Sequence, residues 1–295
     1  MKRLTPVLMA ILLAGAGTAS AQTVAITNAR VHTMAGPAIE RGTVVIRDGV
    51  IAAVGADVVV PAGARVIDAA GKVVTPGFLD SSTQLGLVEV GAVAGTRDSR
   101  VSDDHITAAF NPADGLDPTT SPVAVTRAEG ITRAVVAPAP GASLVAGQAV
   151  LVDLGAETPM KMVRRSPVGM VGVLGERGSR MAGGARAAAV LQLREIFQDV
   201  RDYMENRRAY ETAHRREYAL SRLDLEALVP VARGEVPLVL DVHRSSDILV
   251  ALRLAEELGV RLVLSGVTEG WMVAREIAAA GVPVVINPLV NLPSA

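Results

Sequence analysis

The sequence contains no cysteine and very few aromatic side chains, and each absence excludes a class of function. Without cysteine, neither disulfide bonds nor thiolate metal sites can form. Phe, Tyr and Trp make up 2% of the 295 residues, so the chain has little with which to stack nucleic-acid bases. The formal net charge of −1 shows no excess of basic residues for phosphate contacts. We therefore expect no nucleic-acid partner.

What the chain has in quantity is aliphatic residues. Half of its residues are apolar, which is enough for a sizeable core in one large α/β domain or in two smaller ones. After the first 21 residues, no segment is both long and apolar enough to span a membrane as a helix. We therefore expect no membrane-spanning helix in the mature chain.

Residues 1–21 have the three parts of a secretory signal peptide. Lys2 and Arg3 form the basic region, residues 4–17 form a short apolar region, and Ala19-Ser20-Ala21 is a small-residue cleavage site. The apolar run is shorter than the roughly 20 residues that a membrane anchor needs. We expect a periplasmic or secreted protein that starts at Gln22. Loss of two positive charges would take its formal charge from −1 to −3.

Residues 22–75 are predicted to form a small β-sandwich segment. Alternating apolar residues surround Asp48-Gly49, and Asp-Gly between two apolar runs is the strongest short signal for a β-hairpin. The pattern changes at Pro76-Gly77, where we expect a second domain to begin.

Residues 76–295 are predicted to form part of a (β/α) barrel. Strands are expected near 236–242, 260–265 and 282–286, separated by helices at 245–258 and 268–280. Strands that alternate with single helices pair in parallel through right-handed crossovers. Further strands are expected near 73–80, 131–137 and 168–174. No glycine-rich phosphate-binding motif follows any of these strands, so nothing indicates nucleotide binding.

Structural predictions can be made for three other segments. Residues 142–154 are interpreted as a hairpin, and residues 185–217 as one long helix whose charged second half forms a solvated, lid-like insertion. Residues 87–117 have no clear period and are interpreted as a long excursion above the barrel. The Asp103-Asp104-His105 cluster in that excursion is either a site for a hard cation or solvated turn residues.

The stretch from Val73 to Gly86 resembles the start of the barrel in amidohydrolases of the imidazolonepropionase-like kind. These proteins have Pro-Gly, two apolar residues and Asp-x-His-x-His, followed by Leu-Gly. The sequence has Pro76-Gly77-Phe-Leu-Asp80, then Ser82 and Gln84 at the two histidine positions, then Leu85-Gly86. The approach to this point, from Ile67 through Lys72, also matches the family.

The resemblance implies a metal-dependent hydrolase, because its relatives use one or two divalent metals such as zinc to make a hydroxide that attacks a carbonyl carbon. Several ligand positions have changed. Ser82 and Gln84 replace the histidine pair, Val171 stands at the mid-barrel lysine, and Ser265-Gly266 stands at the histidine of the sixth strand. His243 matches the histidine of the fifth strand.

The candidate catalytic residues are His243, Asp241 and Glu176, since all three follow predicted strands and a barrel carries its active site at that end. His243 is either a weak metal ligand, together with Ser82 and Gln84, or a polar residue of the barrel mouth. Asp241 lies two positions before it, so a regular strand directs both toward the same face. Glu269 is interpreted as a favourable charge at the start of its own helix, and Trp271 as a helix-packing residue.

Three functions follow from these observations. The first is a hydrolase of carbon–nitrogen bonds other than peptide bonds, acting on a small amide-like substrate. The second is a catalytically silent relative that binds a ligand or an active paralogue. The third is a remnant without function, since the resemblance implies a last barrel strand with a metal-binding Asp that this sequence does not contain. The family resemblance favours the hydrolase, the changed metal-ligand positions favour the silent relative, and the missing strand favours the remnant. The resemblance alone does not decide among them, because fold does not imply function.

Overall fold

The computed structural model describes residues 23–287. The chain divides into two compact units between Pro76 and Gly77. The expected signal peptide at residues 1–21 lies outside the described residues. No helix among residues 23–287 is long and apolar enough to cross a membrane.

The first unit consists of one five-stranded sheet. Its strands are β1 (Val24–Val31), β2 (Ile39–Arg47), β3 (Val50–Gly55), β4 (Arg65–Asp68) and β5 (Val73–Val74). The order is β3-β2-β1-β4, and β5 also pairs with β1. The Asp48-Gly49 hairpin prediction is confirmed: both residues have positive φ angles, 54° and 75°, between β2 and β3, as this turn requires. The sandwich itself stays a prediction, because the described strands of this unit form a single sheet.

The second unit contains a seven-stranded sheet that curves into a nearly closed barrel. Its strands follow chain order: β6 (Phe78–Thr83), β7 (Ile131–Val136), β8 (Val145–Asp153), β9 (Val163–Val173), β10 (Leu238–Val242), β11 (Leu262–Gly266) and β12 (Val284–Val285). β6 pairs in parallel with β7, and β9 through β12 pair in parallel with one another, as predicted. The described sheet therefore has β6 and β12 as its edges.

The hairpin predicted at residues 142–154 is wrong, because β8 is one continuous strand. It lies antiparallel between β7 and β9. Gly147, which looks like a turn residue, lies within the strand at a φ of 130° and next to a register shift. A Cβ there would lie 2.6 Å from the carbonyl oxygen of Phe110. This glycine thus serves a close backbone approach at a bulge rather than a turn.

Helices pack around the barrel strands, and their apolar faces form the main core. They are α1 (Ser121–Ala128), α2 (Pro159–Met162), α3 (Gly175–Met181), α4 (Arg186–Glu211), α5 (Arg222–Ala232), α6 (Ser245–Glu257) and α7 (Ala274–Ala279). Phe197, Leu228 and Leu254 from three of these helices join Leu238 and Leu240 of β10 in one buried cluster. Ser221 caps the start of α5, because its side chain accepts a hydrogen bond from the Asp224 amide.

The long helix is shorter than predicted, and the charged segment after it packs back onto the helix. α4 ends at Glu211 and has a non-helical residue at Asn206. The Arg216 guanidinium pairs with the Asp199 carboxylate, which is 1% exposed, and the Ala219 amide donates to the same carboxylate. These buried polar contacts hold the segment against α4, so it is not a freely solvated insertion.

Candidate functional site

The barrel strands line an open cavity of about 640 Å³, to which alternate residues of several strands contribute. Val239 and Asp241 of β10 point into the cavity, whereas Leu238, Leu240 and Val242 point to the buried core. The period-two alternation of a strand produces these two faces. The sequence prediction that Asp241 faces the barrel interior agrees with this arrangement.

Curvature of the sheet brings its two edges to the same cavity. Ser82 and Gln84 lie on and just after β6, and Asn287 follows β12, yet all three line this space. In a flat sheet, six spacings of about 4.8 Å would separate the two strands by roughly 29 Å. The cavity is therefore a product of barrel curvature and not of any local motif.

The lining changes from apolar to polar along the strands. Valine side chains form most of the inner wall: Val135, Val168, Val171, Val239, Val263 and Val285. Toward the carboxyl ends of β10 and β11 the lining becomes Asp241 and Ser265, which are paired in register. A ligand in this cavity therefore meets hydrocarbon at one end and hydrogen-bonding groups at the other.

Three side chains from neighbouring loops and strands form a chain of polar contacts at the mouth. Oδ1 of Asp241 lies 3.4 Å from Nε2 of His243, and Nδ1 of His243 lies 2.8 Å from Oγ1 of Thr268. Asp241 is 25% exposed and His243 is 44% exposed. Both ring nitrogens of His243 thus have a partner within the protein. The second oxygen of Asp241 makes no further hydrogen bond or ion pair within the described chain.

Gly266 gives His243 the space that its ring occupies. A Cβ at position 266 would lie 2.4 Å from Cε1 of His243, and Gly266 has a φ of 85°. This is the position where the family resemblance implies a histidine on the sixth strand. With the His243 ring packed against it, no larger side chain fits there without moving that ring.

The residues at the barrel mouth do not fit a catalytic zinc ion. Such a site usually holds three protein ligands, and His243 is the only nitrogen donor among the predicted ligands, with both ring nitrogens already engaged. Ser82 and Gln84 supply neutral oxygens. Val171, at the mid-barrel lysine position, lines the cavity with an apolar side chain. We therefore derive no reaction step through a metal.

Of the three predicted catalytic residues, Asp241 lines the cavity and His243 contacts Asp241 from outside the lining, whereas Glu176 lies away from both. It lies in the first turn of α3, its side chain is 74% exposed, and it pairs with Arg180 one turn later. Strand β9 ends before it, and the helix that follows directs the side chain outward. Such an exposed i,i+4 pair contributes little to stability.

Two residues after β11 have roles that differ from the predicted ones. The Glu269 carboxylate accepts hydrogen bonds from the amide and the hydroxyl of Ser245, at 2.8 and 3.0 Å. It therefore stabilises the start of α6 rather than its own helix, and the Ser245 amide lowers the pKa of Glu269. Trp271 is 78% exposed, so its interpretation as a helix-packing residue is wrong.

The acidic cluster in the long excursion is also exposed. The ligand atoms of Asp103, Asp104 and His105 lie within 4.8 Å of one another, and all three residues are exposed. Nearby, the buried Asp224 carboxylate accepts hydrogen bonds from the amides of Thr107 and Ala109. These contacts tie the excursion to α5 without involving the cluster.

Sequence reasoning missed Thr268 and the part played by neutral side chains in the lining. Thr268 lies beyond the end of β11, and nothing in its neighbourhood of the sequence indicates contact with His243. Neither Ser265 nor Asn287 was predicted to line a cavity. The alternation of β11 and β12 could have placed them in the cavity, since each lies two positions after an inward-facing valine.

The comparison with a solved amidohydrolase structure agrees with this fold. No family model matches the sequence, and no curated protein matches it. Among solved structures, an amidohydrolase from Thermotoga maritima MSB8 is similar over 92% of this chain and 72% of its own, with 27% identity and a TM-score of 0.80. An L-hydantoinase (dihydropyrimidinase) from Arthrobacter aurescens is 16% identical, over 89% of this chain and 57% of its own, with a TM-score of 0.43.

The similarity to the Thermotoga protein extends over both units and not over the barrel alone, because it covers nearly the whole chain. Together with the nearly closed barrel sheet, this similarity supports assignment of the chain to the amidohydrolase superfamily.

Proposed function

We propose that this protein is a slow hydrolase of carbon–nitrogen bonds other than peptide bonds, acting on a small cyclic or linear amide held in the barrel cavity. The observation that carries the proposal is the Asp241 carboxylate, which lines the cavity and is held from one side by His243. The stretch around Ser82 and Gln84 adds the finer resemblance to the imidazolonepropionase-like branch.

The geometry favours Asp241 over His243 as the general base, although histidine is the usual choice near neutral pH. His243 contacts Asp241 through Nε2 and Thr268 through Nδ1, so neither nitrogen is open toward the cavity. Asp241 keeps one oxygen without a partner in the described chain. In this arrangement His243 positions the carboxylate and Thr268 positions His243.

The proposed reaction begins when a carboxylate oxygen of Asp241 takes a proton from water. The resulting hydroxide attacks the carbonyl carbon, and the carbonyl oxygen becomes an oxyanion that neutral donors such as Ser265 and Gln84 can contact. The tetrahedral intermediate then breaks its carbon–nitrogen bond as Asp241 returns the proton to the leaving nitrogen. General base catalysis contributes about 10²–10⁴-fold, so we expect low turnover.

A panel of linear amides, cyclic amides and cyclic imides, assayed with purified protein, tests this function. We expect Asp241→Asn to abolish any hydrolysis, His243→Ala to reduce it strongly, and Ser82→Ala to leave most of it. Glu176→Gln, on the exposed face of α3, is the matched control and should have no effect. Hydrolysis that persists in Asp241→Asn would refute the role of Asp241.

A second candidate is a silent relative that binds its ligand without turnover. The observation that favours it is the neutral and apolar character of Ser82, Gln84 and Val171 at three positions where the family resemblance implies metal ligands. Ligand binding to the cavity without hydrolysis by the wild type would favour this candidate. An active paralogue is its proposed partner, and co-purification of the two proteins would test that association.

The proposed location is the periplasm or the cell exterior. Its support is the sequence of residues 1–21, with Lys2-Arg3, an apolar run and Ala19-Ser20-Ala21. The absence of cysteine does not argue against this location, because an exported protein does not require disulfide bonds.

A further inference from the structure

We infer that the barrel cavity selects an aliphatic ligand whose polar head is neutral or cationic, and that it rejects ligands whose head is a carboxylate. The inference rests on the proposed function in one respect, namely that the barrel cavity is where the substrate binds. It does not require that the bound ligand be hydrolysed. It restricts the substrates of the proposed hydrolase to amides without a free carboxylate at the polar end.

The cavity lining contains a single negative charge and no positive charge among the described residues. Within the described part of the chain, Asp241 is the only ionisable residue of the lining. Its neighbours in register are Val173 on β9 and Ser265 on β11, both uncharged. Among residues 23–287, no lysine or arginine lines the space, and Arg133 of β7, outside the lining, lies opposite Asp153 in the register of β7 and β8. An anion at the polar end would therefore face a carboxylate without a cation to offset it.

Among the described residues, His243 is the titratable group that contacts Asp241, and it does so from the side of the mouth rather than from the lining. It lies 3.4 Å from Oδ1 of Asp241, is not part of the cavity lining, and is held by Thr268. The free oxygen of Asp241 is left to accept a hydrogen bond from an ammonium or amide nitrogen. A carboxylate head offers that oxygen no donor and adds like-charge repulsion.

The side chains of the inner wall determine which apolar group of a ligand can bind there. Six valines and three prolines, Pro138, Pro140 and Pro237, line the cavity. No aromatic side chain lines it within residues 23–287, so a flat aromatic ligand finds no ring to stack on. An aliphatic chain or ring can instead displace water from this wall, which stabilises the complex through burial of apolar surface.

The experiment compares three five-carbon probes that differ only in the head: n-pentylamine as its cation, pentanamide and pentanoate. Binding to the full-length protein is measured at pH 7.5 by chemical-shift titration, with a chelator present so that a contaminating metal cannot attract pentanoate. We expect the pentylammonium ion and pentanamide to bind at least about tenfold more tightly than pentanoate, because only pentanoate brings a second negative charge to the Asp241 carboxylate.

The Asp241→Asn variant tests whether the Asp241 carboxylate causes the preference for the cation over pentanoate. It keeps the size of the side chain and removes its charge, so the preference for the cation over pentanoate should fall to within about twofold. Glu176→Gln removes a carboxylate outside the cavity and should leave the preference intact. Thermal melting of each variant checks that it is folded.

Three results would overturn the inference: tighter binding of pentanoate, a preference that survives Asp241→Asn, or no binding of any probe at millimolar concentration. Absence of amide hydrolysis would not, because it bears only on the proposed function. The two can therefore fail separately.

Discussion

The carboxylate of Asp241 lies 3.4 Å from Nε2 of His243, a residue two positions further along the chain and just past the end of β10. Thr268 holds the opposite nitrogen of the ring at 2.8 Å. In metal-dependent barrels a histidine needs one nitrogen free for the metal. Here both ring nitrogens have partners within the described chain, and the proposed role of this histidine is to support the carboxylate that lines the cavity.

Replacing Thr268 with Val should release His243 without changing the volume of the side chain. Valine cannot contact Nδ1 through a hydroxyl, so we expect a change in the tautomer populations of the His243 ring. Nitrogen chemical shifts of the imidazole, measured by NMR, report this directly. Thr268→Ser keeps the hydroxyl and should retain the wild-type shifts. Identical shifts in the Val and wild-type proteins would show that Thr268 does not position the ring.

Replacing Gly266 with Ala should destabilise the protein through two effects that a control can separate. A left-handed conformation costs a non-glycine residue about 1–2 kcal/mol, and the new Cβ would also lie 2.4 Å from Cε1 of His243. Gly281 has a φ of 62° with open space around it, so Gly281→Ala carries only the first effect. We expect urea unfolding to show a larger loss for Gly266→Ala.

The same substitution in a His243→Ala background tests where the additional loss comes from. If the contact with the ring is responsible, the changes in unfolding free energy caused by the two substitutions will not be additive, because removal of the ring relieves the clash. Additive losses would indicate that Gly266 and His243 are energetically independent.

Purified protein should contain less than one tightly held zinc ion per chain. The predicted ligand set has a single nitrogen donor, and Ser82 and Gln84 are weak neutral ligands for a dication. Elemental analysis by mass spectrometry after purification without added metal is the measurement. One or more equivalents of zinc that resist a chelator would contradict the expectation and would point to ligands other than the predicted set.

The mature protein should begin at Gln22. Cleavage after Ala19-Ser20-Ala21 removes the basic and apolar regions of the signal, so intact-mass analysis of the periplasmic fraction should show a chain that lacks its first 21 residues. Replacing the small residue before the cleavage site, Ala21→Leu, should cause the precursor to accumulate. Soluble cytoplasmic protein that retains Met1 would show that the segment is not a signal.

Tyr218 should make the protein less stable at high pH. Burial, together with the hydrogen bond to Asp202, raises the pKa of Tyr218 from 10 to about 12. Because the folded pKa is the higher one, the associated stability is fully present below pH 10 and is lost as the pH rises toward 12. The free energy of unfolding should therefore fall over this range.

Tyr218→Phe removes the ionisable group, so its unfolding free energy should fall less between pH 10 and 12 than that of the wild type. Tyr203, whose pKa is also raised, contributes to both proteins and cancels in the comparison. Tyr210 stacks on Tyr218 with ring centroids 4.9 Å apart, and Tyr210→Phe is the matched control. Parallel curves for wild type and Tyr218→Phe would refute the prediction.

Much of the strand and helix pattern could be predicted from the sequence, because local periodicity encodes it. The parallel pairing of β10 with β11 followed from two strands separated by one helix, and the Asp48-Gly49 turn followed from residues that tolerate positive φ. The inward direction of Asp241 followed from counting by two along β10. Where a residue served a distant contact, the same reasoning failed, as with Gly147, which resembles a turn residue but makes room for Phe110.

The sequence by itself determined which residues alternate along each strand and where the family resemblance is strongest, since both depend only on neighbours in the chain. The tertiary structure alone decided which strand ends share a cavity, because barrel curvature brings Gln84 and Asn287 together across five intervening strands. It also turned Glu176 outward, since the side chain follows the first turn of a helix and not the strand before it. Finally, it placed Thr268 against His243, a contact between groups 25 residues apart that no local pattern specifies.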